Sequence, residues 1–189
     1  EMLRSLVGSE MCIRDRRENV TVKEVENIPY AYEISDYDYI AGLKSFQDGM
    51  YQIQDISSML AGEYTAPKAG DTIVDVCGAP GGKSINAALK MSEQGDCGRV
   101  IARDLSDYKV ALIDENIKRL NITNIQTQVY DALDCDESLI NKADIVIADL
   151  PCSGLGIIGR KPDIKYNASP EKLQSLVDLQ RDILKVVSR

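Results

Sequence analysis

Hydrophobic and polar positions follow two different rhythms along the chain. From Asn19 to Ile40 they alternate in short runs, VTVKEV (20–25) and AYEI (31–34), separated by Asn27-Ile28-Pro29. Alternation at period two bounded by turn residues predicts strands. The following ISDYDYI (34–40) reads as a half-buried edge strand, with base stacking as the alternative use of Tyr37 and Tyr39. In FQDGMYQIQDISSMLAGEY (46–64), Gly49 marks a turn and MYQIQ alternates as a strand should. Ser57 then caps a helix that runs through Met59, Leu60 and Tyr64. Pro67 to Gly70 is a short linker.

Beyond the linker, apolar runs and helical stripes take turns. Strands are predicted over 72–77, 99–103, 126–130 and 143–149, and helices over 83–91, 106–120 and 169–187. Val110, Ile113, Ile117 and Leu120 recur at three- and four-residue steps, one buried stripe. In the last helix Ser169 caps, Pro170 takes the first helical position, and Leu173, Leu176, Val177, Ile183, Leu184 and Val187 form the stripe. Strands apolar on both faces, each followed by a helix, predict an α/β fold with a parallel, right-handed, doubly wound sheet. Residues 1–16 continue neither rhythm. Their run EMCIRDR (10–16) resembles one reading frame of an adapter used in making sequencing libraries, so this leader is expected to be non-native or disordered.

Composition narrows the class. The chain of 189 residues, 44% hydrophobic and 28% charged, has room for one α/β core with a small appendage. It has no apolar run of about 18 residues, so no membrane span or membrane partner is expected. Histidine is absent and the five cysteines (Cys12, Cys77, Cys97, Cys135, Cys152) form no C-x-x-C pair. No metal and a reducing, cytoplasmic setting are therefore expected. A net charge of −8 argues against a generic nucleic-acid binder, yet residues 150–189 carry seven basic and four acidic groups. That basic tail is either a solvated face or a polyanion contact.

The chemistry gathers at DVCGAPGGKS (75–84), where the first strand of the second unit gives way to a glycine turn and a helix. Gly78, Gly81 and Gly82 let a ligand approach main-chain amides. A Walker loop would need glycine where Cys77 stands, so Gly82-Lys83-Ser84 completes only the end of that pattern. Acids stand at or near successive strand ends: Asp75, Asp104, Asp131 and Asp149, with Asp104 lying 22 residues beyond Gly82. An aspartate there is ordinarily a turn or helix cap, but this register suits an adenosyl ligand at the carboxyl edge of a sheet. A triphosphate would be repelled by such acidity without magnesium. Cys152 follows Pro151 at the fourth strand's end, expected to face the same crevice; Cys77 reads as core or cofactor wall, and Cys12, Cys97 and Cys135 as incidental.

With DVCGAPGGKS, DLPCSGLGIIGRKPDIKY (149–166) and YQIQDISS (51–58) in order, the chain resembles the Nop/Sun family of RNA (cytosine-5) methyltransferases, most of all its bacterial 16S rRNA, RsmB-like branch. The resemblance implies a Rossmann-like class I methyltransferase domain over 67–189, preceded at 17–66 by the tail of an RNA-binding extension. It implies S-adenosylmethionine as cofactor. Cys77, Gly78, Ala79, Pro80, Gly81, Gly82 and Lys83 would surround its methionine end, Asp104 hold the ribose, Asp131 the adenine edge, and Asp149 lie beside the sulfonium and target base. It also implies RNA as partner, with RNA contacts from Arg160, Lys161 and Lys165; the oligomeric state is left open, a monomer being favoured. In the family, a thiolate adds to cytosine carbon 6 so that carbon 5 can take the methyl. The proline-cysteine residue, here Cys152, assists product release, while the nucleophile belongs to a threonine-cysteine motif that would follow Arg189. On that reading these residues bind cofactor weakly and do not methylate. A nucleotide-hydrolysing loop and a non-catalytic RNA-binding module are the rivals.

Overall fold

A computed structural model describes residues 2–5, 18–95, 98–159 and 161–189. The first sheet is antiparallel and holds β1 (Met2–Ser5), β2 (Thr21–Glu24), β3 (Ala31–Ser35) and β4 (Gln52–Gln54) in the order β2-β3-β1-β4. Two helices flank β4: α1 (Lys44–Gln47) and α2 (Ile56–Thr65). The second sheet is wholly parallel, with β5 (Thr72–Asp75), β6 (Arg99–Asp104), β7 (Ile125–Val129) and β8 (Ile145–Ile147) in the order β7-β6-β5-β8. Its helices are α3 (Gly82–Glu93), α4 (Asp107–Leu120), α5 (Ile164–Asn167) and α6 (Pro170–Val187).

Successive strand residues point to opposite faces, which is why β5 and β6, covered on both, carry consecutive apolar residues at Ile73-Val74 and Val100-Ile101. Ile73 and Val100 pack on one face against Ala87, Ala88 and Met91 of α3. Val74, Val76 and Ile101 pack on the other against Ile183 of α6. The chain moves outward from β5 through β6 to β7, then returns to β8 on the far side of β5. Strand order thus reverses between β5 and β8, the place where an open α/β sheet leaves a crevice at its carboxyl edge.

Several local expectations are corrected. Met2–Ser5 form β1, a central strand between β3 and β4, although their run is too short to carry a period. The rest of the leader, with Cys12, lies outside the described residues, as do Cys97 and Arg160. No edge strand runs through Tyr37 and Tyr39. Strand β3 ends at Ser35 because Asp36 takes φ 62°, and Tyr37 instead packs on Val20, Ile34 and Tyr51 while Tyr39 is exposed. Asp55, not Ser57, precedes α2, without a side-chain cap. On α6, Val177 and Leu184 face solvent, whereas Leu179, left out of the expected stripe, packs inward beside Ile183. Strand β8 is also shorter than its apolar run.

Ser169 caps α6 as its sequence predicts, its Oγ accepting from the Lys172 N–H at 3.3 Å. Ser169→Ala should therefore cost about 1 kcal/mol, read as a small drop in thermal midpoint. No helix among the described residues is long and apolar enough to cross a membrane.

The two sheets are joined tightly around β4. A Cβ on Gly62 of α2 would stand 2.1 Å from Asn86 Oδ1 of α3, so only glycine permits that approach. Beside it Tyr30 donates to Glu63, and Lys90 of α3 pairs with Glu63 at 2.5 Å. From the end of α4, Arg119 donates to the carbonyls of Phe46 (3.0 Å) and Tyr51 (2.9 Å), which flank the turn into β4.

Candidate functional site

The crevice is built from the end of β5 outward. Asp75, its last residue, is buried and its Oδ2 accepts from Ser84 Oγ of α3 at 2.6 Å. That bond straps the strand to the helix across the loop between them. Gly78 lies under the strap, where a Cβ would stand 3.2 Å from Asp75 Cγ and 3.4 Å from Ser84 Oγ. Gly81 takes φ +104° to turn into α3. The loop's own amides are largely spoken for: Gly78 N–H donates to Arg103 O (2.7 Å), Ala79 N–H to Asp104 Oδ2 (3.1 Å) and Gly81 N–H to Gly78 O (2.6 Å). They fix the loop's shape. Free donors are left mainly at the first turn of α3, which has no side-chain cap.

Lys83, in that first turn, reaches across the switch point to Asp149 Oδ2 at 2.6 Å and to Ser58 Oγ of α2 at 3.2 Å. Three segments meet at one ammonium. Between them opens a hollow of about 460 Å³ lined by Gln52, Gln54, Asp55 and Ser58 from the N-terminal unit, and by Asp75, Cys77, Gly78, Ala79, Pro80, Gly82, Lys83 and Asp149. Its electrostatics are acidic, with Asp55, Asp75 and Asp149 against the single cation of Lys83. Burial pushes Asp75 up to about 6, against the Ser84 hydroxyl and the Cys77 amide that favour its charged form. Asp75 Oδ1 is buried and has no hydrogen-bond partner of ordinary geometry. Burial, followed by the charges of Asp104 and Asp75, raises Cys77 to about 11, so it stays a neutral thiol and a wall.

Not every predicted residue meets there. Asp104 sits behind the loop, pinned between the Ala79 amide and Lys109 at 2.9 Å. Asp131 lies past β7, where its Oδ1 accepts from the Leu133 amide at 2.9 Å, outside the hollow. Cys152, expected to face the same crevice, is not part of the lining of this hollow. It is exposed and lines a separate hollow with Ser153, Lys161, Asp163 and Lys172. Lys165 lies over the exposed ring of Tyr166.

The sequence of residues 63–189 matches the family model described as 16S rRNA methyltransferase RsmB/F. This chain belongs to the RsmB/F family. The probable ribosomal RNA small subunit methyltransferase B of Bacillus subtilis is 41% identical over 150 residues, 79% of this chain and 33% of that protein. The chain thus spans about a third of the length of such curated relatives. Among solved structures, NSun6 from Pyrococcus horikoshii with SFG is 28% identical with a TM-score of 0.68, over 85% of this chain and 39% of that one. A methyltransferase homologue from the same organism, 24% identical, shares the fold with a TM-score of 0.70 over 98% of this chain and 60% of its own. The parallel sheet flanked by helices is the Rossmann-like fold of S-adenosylmethionine-dependent methyltransferases.

Within this RsmB/F domain the sequence reading missed the wall supplied by β4 and α2. YQIQDISS was legible as a motif, but Gln52, Gln54 and Ser58 carried no sign of facing the glycine loop. The alternation that places Gln52 and Gln54 on one face of β4 was the available signal.

Proposed function

We propose that the chain carries the cofactor-binding part of an RsmB/F enzyme that transfers a methyl group from S-adenosylmethionine to carbon 5 of a cytosine in RNA, 16S rRNA above all. The observation that carries this reading is the acid-lined hollow at the β5–β8 switch point, with a buried Asp75 oxygen left unpartnered beside a glycine loop. A cofactor with cationic sulfonium and ammonium groups fits such a lining, and the missing Cβ of Gly82 leaves room for it. When bound, S-adenosylmethionine supplies an electrophilic methyl group. Cys77 to Lys83 would hold its methionine end, Asp104 the ribose and Asp131 the adenine edge.

The chain's own residues then divide the work. Asp104 fixes the loop through the Ala79 amide, and Lys83 holds Asp149 at the edge where the target base would enter. Cys152 assists product release from its own hollow, whose Lys161 and Lys172 suit a phosphodiester backbone. Arg160, Lys161 and Lys165 are the proposed RNA contacts, and residues 17–66 the tail of an RNA-binding extension. The target base must be unpaired or extruded to be reached. The setting is cytoplasmic and the protein a monomer.

Calorimetric titration tests the reading. S-adenosylhomocysteine should bind this chain saturably, whereas ATP with Mg²⁺ should give no heat beyond dilution. Magnesium-dependent ATP binding without uptake of S-adenosylhomocysteine would replace it with a nucleotide-hydrolysing site.

A further inference from the structure

Gln54, the last residue of β4, is nine-tenths buried, and its Nε2 has no hydrogen-bond partner. A donor so placed is costly unless something binds it. Its position supplies the reason for keeping it. Gln54 lines the hollow, and its Nε2 lies 3.6 Å from where a Cβ on Gly82 would stand, at the uncapped first turn of α3. A helix N-terminus of 12 residues offers backbone donors and a partial positive charge, and the Gln54 amide adds a neutral donor beside it. Asp75 lines the same hollow, and its Oδ1 is an acceptor with the complementary deficit. The lining of one hollow therefore holds an orphaned donor beside a helix N-terminus and an orphaned acceptor.

An α-amino acid group carries the matching pair, a carboxylate and an ammonium. We propose that Gln54, contributed by the N-terminal sheet, is a cofactor-binding residue. Its amide and the first turn of α3 seat the carboxylate of the cofactor's amino-acid end, and Asp75 takes the ammonium. The N-terminal unit then completes the cofactor site of the methyltransferase domain. Arg119 holds β4 in place for this role by donating to Gln52 Oε1 at 2.5 Å and to the Tyr51 carbonyl. This inference rests on the functional reading above.

Two ligands separate its failure from the failure of that reading. S-adenosylhomocysteine carries the amino-acid end; 5′-methylthioadenosine keeps the nucleoside and thioether but lacks it. For the wild-type chain, S-adenosylhomocysteine should bind more tightly. Gln54→Leu should weaken S-adenosylhomocysteine about tenfold or more and leave methylthioadenosine unchanged. Gln54→Glu, closest in shape, should weaken it further by placing a second carboxylate at the seat, and thermal unfolding of both variants checks that they fold. Equal loss for both ligands would make Gln54 merely structural, and no loss, or equal wild-type affinities, would equally overturn the proposal. A wild-type chain that binds neither ligand would overturn the functional reading itself.

Discussion

Replacing Arg119 by alanine is expected to destabilise the chain by about 3 kcal/mol, a fall of roughly 6–12 °C in thermal midpoint for a protein of this size. The guanidinium is half-buried, and burial lowers its pKa from the ordinary value, a mark of lost hydration. It compensates with four hydrogen bonds. Nη1 donates to the carbonyls of Phe46 and Tyr51, Nη2 to Gln52 Oε1 and Asn116 Oδ1, and the plane lies 3.9 Å from the Phe46 ring centroid. Alanine would leave two backbone carbonyls and a half-buried ring without these partners. Lysine would recover only part, since one ammonium cannot serve four acceptors in a planar fork. Gly49 shows how closely the two units meet here: a Cβ on it would stand 1.8 Å from the Arg119 carbonyl oxygen. Denaturant unfolding of Arg119→Ala measures the loss, and hydrogen exchange should localise it to the backbone around Tyr51 to Gln54. An unchanged midpoint would show that the junction is held by apolar packing alone.

The same junction marks the boundary of what the sequence makes legible. Local chemistry reads well. The strand–turn–helix around Cys77 to Gly82, the Val110–Ile113 stripe and the Ser169-Pro170 start of α6 appear where period and capping rules place them, because each depends on neighbours within one turn or strand. Long-range pairing does not. Strand β1 has only Met2–Ser5 to announce it and takes its place from β3 and β4. Val177 and Leu184 share the apolar period of α6 but not its buried face, because which side of a helix is covered depends on partners distant in sequence. The site divides likewise. The loop and the acids Asp75 and Asp149 of the crevice can be read from spacing, whereas the wall supplied by Gln52, Gln54 and Ser58 depends on how the first sheet docks, and the placing of Cys152 in its own hollow depends on the path of the chain between β8 and α5.

Asp75→Asn should do two opposite things at once. An ordinary aspartate titrates at 3.8, whereas burial pushes Asp75 up to about 6 despite the Ser84 hydroxyl, the Cys77 amide and the Lys83 charge. The folded state thus holds this proton more tightly than the unfolded state does. Asp75's favourable contribution is fully present below pH 3.8 and is lost as pH rises through about 6. Above that the buried charge costs up to about 3 kcal/mol relative to its protonated form. Asparagine carries no charge at any pH and keeps an oxygen to accept from Ser84. The variant should therefore be more stable than the wild type by about 2 kcal/mol near pH 7.5, with the advantage shrinking through about pH 6 and gone by about pH 4. Denaturant unfolding across that range reads it, and a difference independent of pH would refute the buried-charge account. The cost should fall on binding. Asparagine offers an amide in place of a carboxylate toward the ammonium, so S-adenosylhomocysteine should bind about tenfold more weakly or worse while methylthioadenosine is spared. A residue that destabilises the free chain at neutral pH and tightens its ligand is what a stability–activity trade-off predicts for a binding site rather than for a core.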